Sequence, residues 1–120
     1  MKYLIDLWLD ETVWNGYIPE EGEDPLYDKY FDWMNNGKGG DKVFAKISSY
    51  MKEWDENTEF EGGSLYRPNG VDCFAHIEIH PNILDDVSYE LDRFCKEMKK
   101  DKDFNSCPIE LKIGYKIEKD

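Results

Sequence analysis

An α+β sandwich is the fold class that this sequence predicts, and three observations lead there. Stretches near both ends and in the middle alternate apolar and polar residues. Segments with apolar residues at three- and four-residue steps lie between them, and Gly, Pro and Asn clusters punctuate the joins.

Residues 2–10, "KYLIDLWLD", place Tyr3, Ile5, Leu7 and Leu9 on one side and Leu4, Asp6, Trp8 and Asp10 on the other. A period of two belongs to a strand, and so apolar a strand is expected at the centre of a sheet. The next stretch, "ETVWNGYIPEEGEDP", holds no period and reads as a long loop carrying Glu20, Glu21 and Glu23. Asp24 before Pro25 has the form of an N-cap and first helical residue, and Leu26, Tyr27, Tyr30, Phe31 and Met34 follow at helical spacing. This helix is expected to end near "NNGKGG". Asp41 then caps a second helix whose apolar stripe is Val43, Phe44, Ile47, Met51 and Trp54.

"PNG" marks a tight turn into "VDCFAHIEIH", and Gly62 with Gly63 reads equally as a hairpin turn or a bulge. Cys73, Ala75, Ile77 and Ile79 share one face of this strand. Asp72, Phe74, His76, Glu78 and His80 share the other. From Asn82 a third helix is expected, with Asp85 and Asp86 in its first turn and Lys96, Lys99 and Lys100 at its end, an order that complements the helix dipole. Its stripe is Leu84, Val87, Leu91, Phe94, Cys95 and Met98. "IELKIGYKIE" alternates again, with Ile109, Leu111, Ile113, Tyr115 and Ile117 turned inward.

The order β-α-α-β-β-α-β is that of a ferredoxin-like split βαβ sandwich, an antiparallel-rich sheet of four to five strands with helices on one face. The chain of 120 residues is expected to form a single domain. On the uncovered face Asp6, Trp8 and Asp10 would lie beside His76, Glu78 and His80, which makes that face a candidate small-ligand or metal-dependent site. Against a metal stands the separation of His76 from His80, roughly 13 Å along an extended strand. No metal, cofactor or catalytic group is therefore assigned, and the composition favours a binder over an enzyme.

Charge narrows the function classes most. The chain carries 27 acids against 15 Lys and Arg, a net charge of −12, and residues 1–63 hold 15 of the acids with 6 bases. Such a surface repels phosphate backbones and anionic lipid, so direct binding to nucleic acid or membrane is not expected, whereas a basic protein is a fitting partner. Cys73, Cys95 and Cys107 form no C-x-x-C pair, which suits a reducing cytoplasm. No signal peptide or membrane span is read. "NNGKGGDK" lacks the phosphate-loop pattern and is expected to be a flexible helix connection.

In "YIPEEGEDPLYDKYFDW" acids interleave with aromatics. Glu20, Glu21, Glu23, Asp24, Asp28 and Asp32 are spaced to imitate a run of phosphates, while Tyr17 and Trp33 lie off the core stripe and are the expected contact aromatics. These residues form the candidate surface for a basic nuclease or nucleic-acid-binding defence complex. The function class that follows is a small acidic inhibitor: an anti-CRISPR or anti-restriction protein, or an immunity protein or antitoxin against a nuclease toxin. Its mechanism would be nucleic-acid mimicry.

Overall fold

The structure, a computed structural model, describes residues 2–10, 22–35, 37–62 and 70–119. It is α+β. Strand β1 (Lys2–Asp10) is followed by helices α1 (Pro25–Met34) and α2 (Gly39–Trp54), a short strand β2 (Glu59–Gly62) and strand β3 (Gly70–Glu78). Helices α3 (Leu84–Lys99) and α4 (Lys102–Asn105) and strand β4 (Lys112–Lys119) complete the order. Among the described residues the three long strands form an antiparallel sheet with β1 in the middle, and β2 extends it beside β3, giving the spatial order β2-β3-β1-β4.

The alternation of β1 decides which face is covered. Ile5, Leu7 and Leu9 are fully or almost fully buried, and the register sets Ile5 opposite Ala75 and Ile117, and Leu7 opposite Cys73 and Tyr115. Val43, Ile47 and Met51 of α2 and Val87, Leu91, Cys95 and Met98 of α3 join the same core. Helix α2 lies against β3 and α3 against β4. Each fully buried aliphatic side chain here contributes roughly 1.5–3 kcal/mol relative to exposure. Helix α1 packs on α2 and so forms an outer tier of the helical layer.

Several element boundaries differ from expectation for local reasons. Helix α2 starts at Gly39, not after Asp41; Lys38 holds the cap position and Asp41 lies in the first turn, accepting from the Gly37 N–H at 2.8 Å. Gly39 and Gly40 therefore serve packing, whereas Gly37 takes a φ of 69°. A Cβ at Gly39 would come within 2.5 Å of Trp33 Nε1 and Ser106 Oγ, and one at Gly40 within 2.6 Å of the Met34 Cα. Only glycines let the start of α2 approach α1 this closely. Before α3, a 3-10 turn (Pro81–Ile83) intervenes where Asn82 was expected to open the helix, and His80 Nδ1 accepts from the Asn82 N–H at 3.2 Å.

The short α4 was not anticipated. Asp101 caps it, accepting from the Asp103 and Phe104 N–H groups at 2.8 and 3.2 Å, and Phe104 enters the core. The Lys46 ammonium of α2 binds Asp101 at 2.5 Å and Asp103 at 3.2 Å, tying α4 to α2. Strand β4 begins at Lys112, three residues later than its pattern suggested. Gly62 ends β2 in a pairing opposite Val71, and Gly63 lies outside the described residues, so neither turn nor bulge is assigned there.

Two expected outcomes follow from this packing. A Cβ at Gly114 would overlap the Trp8 indole, so Gly114→Ala is expected to lower stability by about 1–3 kcal/mol in urea unfolding, with partial recovery when Trp8 is also shortened to Leu. The Lys46 hydrogen bond holds the Asp101 carboxyl below its usual 3.8, against the opposing effect of burial. Asp101 in turn raises Lys46 above 10.5. The pair's contribution is therefore present between those values, is lost as pH falls below 3.8 through the depressed carboxylate, and is lost again above 10.5. Lys46→Met should unfold more readily than the parent at neutral pH, with the gap closing at both extremes in pH-dependent denaturation.

Candidate functional site

The uncovered sheet face does not gather the residues that its strand patterns brought together on paper. Antiparallel pairing sets Glu78 opposite Lys2, His76 opposite Leu4, Asp6 opposite Phe74 and Asp10 opposite Gly70. Glu78 and Asp10 thus stand at opposite ends of the sheet, eight pairs apart or roughly 27 Å. His80 leaves the sheet altogether, since β3 ends at Glu78 and His80 caps the 3-10 turn. Only Asp6 and His76 occupy diagonal positions. Among the described residues no three His, Cys, Asp or Glu side chains are placed to hold a metal ion.

This face is also less solvated than a bare sheet would be. Asp6 and Asp72 are each only 4% exposed, Leu4, Trp8, Asp10 and Phe74 are half-buried, and His76 and Glu78 are exposed. Register places the β4 lysines against the β1 acids, Lys116 opposite Asp6 and Lys112 opposite Asp10. Opposite charges at such positions favour the pairing by a few tenths of a kcal/mol to about 1 kcal/mol. At the far end Asp55, in the turn after α2, accepts from the backbone N–H of His76 at 3.2 Å. Lys2, Asn57 and Phe74 complete a shallow depression there of about 370 Å³.

The buried cysteines are chemically quiet. Burial, reinforced by Asp6 and Asp72, pushes the Cys73 thiol up to about 11, and burial raises Cys95 to about 11 as well. Neither supplies a thiolate at neutral pH.

Helix α1 organises the acidic segment. Asp24 caps it, accepting from the Leu26 N–H at 2.9 Å, and Asp28 accepts from the Gly22 N–H at 3.0 Å, where Gly22 takes a φ of 86°. Glu23, Asp28 and Asp32 point to solvent. Tyr17, Glu20 and Glu21, also expected to contribute, lie outside the described residues.

The exposed aromatic on α1, however, is not the expected one. Trp33 is 6% exposed, stacks on Tyr30 at 5.8 Å, meets the edge of Phe44 and donates from Nε1 to Ser106 Oγ at 2.9 Å. Phe31, assigned to the core on paper, is 47% exposed. The physical reason is the centre of the stripe: Leu26, Tyr30 and Trp33 cluster on one side, and Phe31 stands about 140° around the helix from Leu26. A wheel centred on those three residues would have found it. Tyr89 of α3, 66% exposed among Asp85, Asp86 and Glu90, was also missed, although it lies off that helix's stripe.

Comparison of the chain with family models, curated proteins and solved structures finds no match. No helix among the described residues is long and apolar enough to cross a membrane. With the folded protein at neutral pH, an aromatic disulfide reagent is expected to modify the half-buried Cys107 alone, with Cys73 and Cys95 reacting only after denaturant is added. Rapid modification of all three thiols would contradict the burial described.

Proposed function

We propose that this protein acts in a reducing cytoplasm by binding and blocking a basic protein, a nuclease or another nucleic-acid-binding enzyme. The observation that carries this reading is Phe31, exposed beside Asp28 and Asp32 on the outer side of a helix that packs on α2 rather than on the sheet. Carboxylates there steer a cationic surface into encounter, and the ring excludes water once contact is made. The net charge of −12 extends the same attraction over the whole molecule.

Spaced as they are, Glu23, Asp28 and Asp32 would occupy phosphate positions in the partner's nucleic-acid cleft. Trp33 has no part in this contact, since its ring is inside the core. Anti-CRISPR or anti-restriction inhibition and toxin immunity are the two settings in which such a blocker works. The scaffold under this surface we read as ferredoxin-like, with β1 and β3 side by side at the centre and the order β2-β3-β1-β4 supporting that reading.

The test is capture of partners from host lysate at low and at high salt, followed by association kinetics with the purified basic partner and a nucleic-acid competition assay. Asp28→Lys combined with Asp32→Lys should slow association about tenfold at low salt. Phe31→Ala should speed dissociation by about tenfold. Thermal unfolding should be unchanged for Phe31→Ala, while the lysine pair unfolds a few degrees lower through loss of the Asp28 contact with Gly22 and still retains the fold. An association rate indifferent to salt would contradict the proposal.

A further inference from the structure

Between α2 and α3 runs an open cleft of about 490 Å³, within the range of sites that bury a ligand's anchor groups. Its floor is apolar: Ala45 and Tyr50 come from α2, Phe94 and Met98 from α3. Tyr50 and Phe94 lie face to face across the gap, ring centres 3.9 Å apart and planes within 3°. The Tyr50 hydroxyl donates to the Glu90 carbonyl at 3.3 Å, which fixes the ring.

The rim is charged and one-sided. Glu53, Glu97 and Asp101 line it, and its lysine, Lys46, is already bound by Asp101 and Asp103. Arg93 pairs with Glu97 at 3.2 Å but both remain well exposed, a weak attachment that a competing cation can replace. Burial, partly offset by a hydrogen bond with Trp54 and aided by the carboxylates of Glu90 and Glu53, raises the Tyr50 hydroxyl above its ordinary 10.0. An apolar floor under a negative rim is complementary to a group that is itself apolar and flanked by cations.

We propose that this cleft receives a basic segment of the partner, with an aromatic or aliphatic side chain seated against Tyr50, Phe94 and Met98 and lysine or arginine side chains against Glu53 and Glu97. The inference rests on the reading of the protein as a binder of basic proteins and adds to it the place of an apolar anchor. Ala45, Ser49 and Glu53 mark two helical turns along one wall, about 12 Å, so the segment presents one anchor with cations a turn to either side. The Lys46 bridge closes one end of the cleft and sets the direction from which the segment enters.

The probe is an amphipathic helical peptide of leucine and lysine only, titrated calorimetrically into the full chain, with a leucine and glutamate peptide as its opposite. One-to-one binding of the lysine peptide is expected. Ser49→Trp, which fills the cleft from an exposed position, and Glu53→Lys, which reverses its rim, should each weaken binding by about tenfold or more. Glu110→Lys, the same charge reversal at an exposed position outside both the cleft and α1, should leave it within about twofold. Should Ser49→Trp fail to fold, Glu53→Lys, a fully surface exchange, decides.

Binding untouched by Glu53→Lys but lost in Asp28→Lys overturns the cleft and leaves the α1 surface standing. Equal binding of the glutamate peptide, or no binding of either, also overturns the cleft. Failure of the broader reading shows separately, as the absence of any salt-sensitive basic partner for the unaltered protein.

Discussion

The antiparallel pairing of β1 with β3 on one side and β4 on the other is the constraint from which the rest of the molecule follows. Because side chains alternate with a period of two, one choice of register commits Ile5, Leu7 and Leu9 to the helical layer and Asp6, Trp8 and Asp10 to the opposite face. It also decides what those second-face residues meet. The same pairing that brings Lys116 and Lys112 to Asp6 and Asp10 carries Glu78 away to Lys2, and Gly114 receives the Trp8 indole because the register puts them opposite each other. Residues that share a face by alternation are thereby spread along its length.

The surfaces proposed for partner binding lie on the helical layer. Helix α1 stands outside α2, anchored by Trp33 through Ser106 and through the glycine contacts at the start of α2. That anchoring turns the opposite side of α1, with Phe31 and its acids, outward. On the same layer α2 and α3 part enough to leave a cleft, bridged by the Tyr50 and Phe94 rings and closed at one end by Lys46 with the acids of α4. Both surfaces combine apolar area with negative charge, and both follow from helices held by a few aromatic side chains.

Much of this was legible in the sequence wherever a single element's period carries the information. The strand at residues 2–10 and the stripe of α3 from Val87 to Met98 are local patterns, and the structure has them as read, while of the alternation from Ile109 only the part from Lys112 is strand. What was not legible depends on partners far along the chain. Trp33 is buried because Ser106, 73 residues away, accepts its indole N–H. Gly39 and Gly40 look like a flexible link until the approach of α1 is known. Helix α4 is too short to show a period, and its signal is Asp101 alone. How Asp6, Asp10, His76 and Glu78 are grouped on one sheet face was not legible for the same reason: alternation tells which side a residue takes and says nothing about which residue stands across from it.

Register sets the candidate residues of this sheet face apart: His76 stands opposite Leu4, whereas Asp10 stands opposite Gly70, six pairs away. Paired cysteines test it directly. Leu4→Cys with His76→Cys occupies opposite positions, whereas Asp10→Cys with His76→Cys is separated by six pairs, roughly 20 Å. Mild oxidation followed by peptide mapping should find an intramolecular disulfide in the first variant and none between the introduced residues in the second. A disulfide between positions 10 and 76 would bring Asp10 beside His76 and contradict the register.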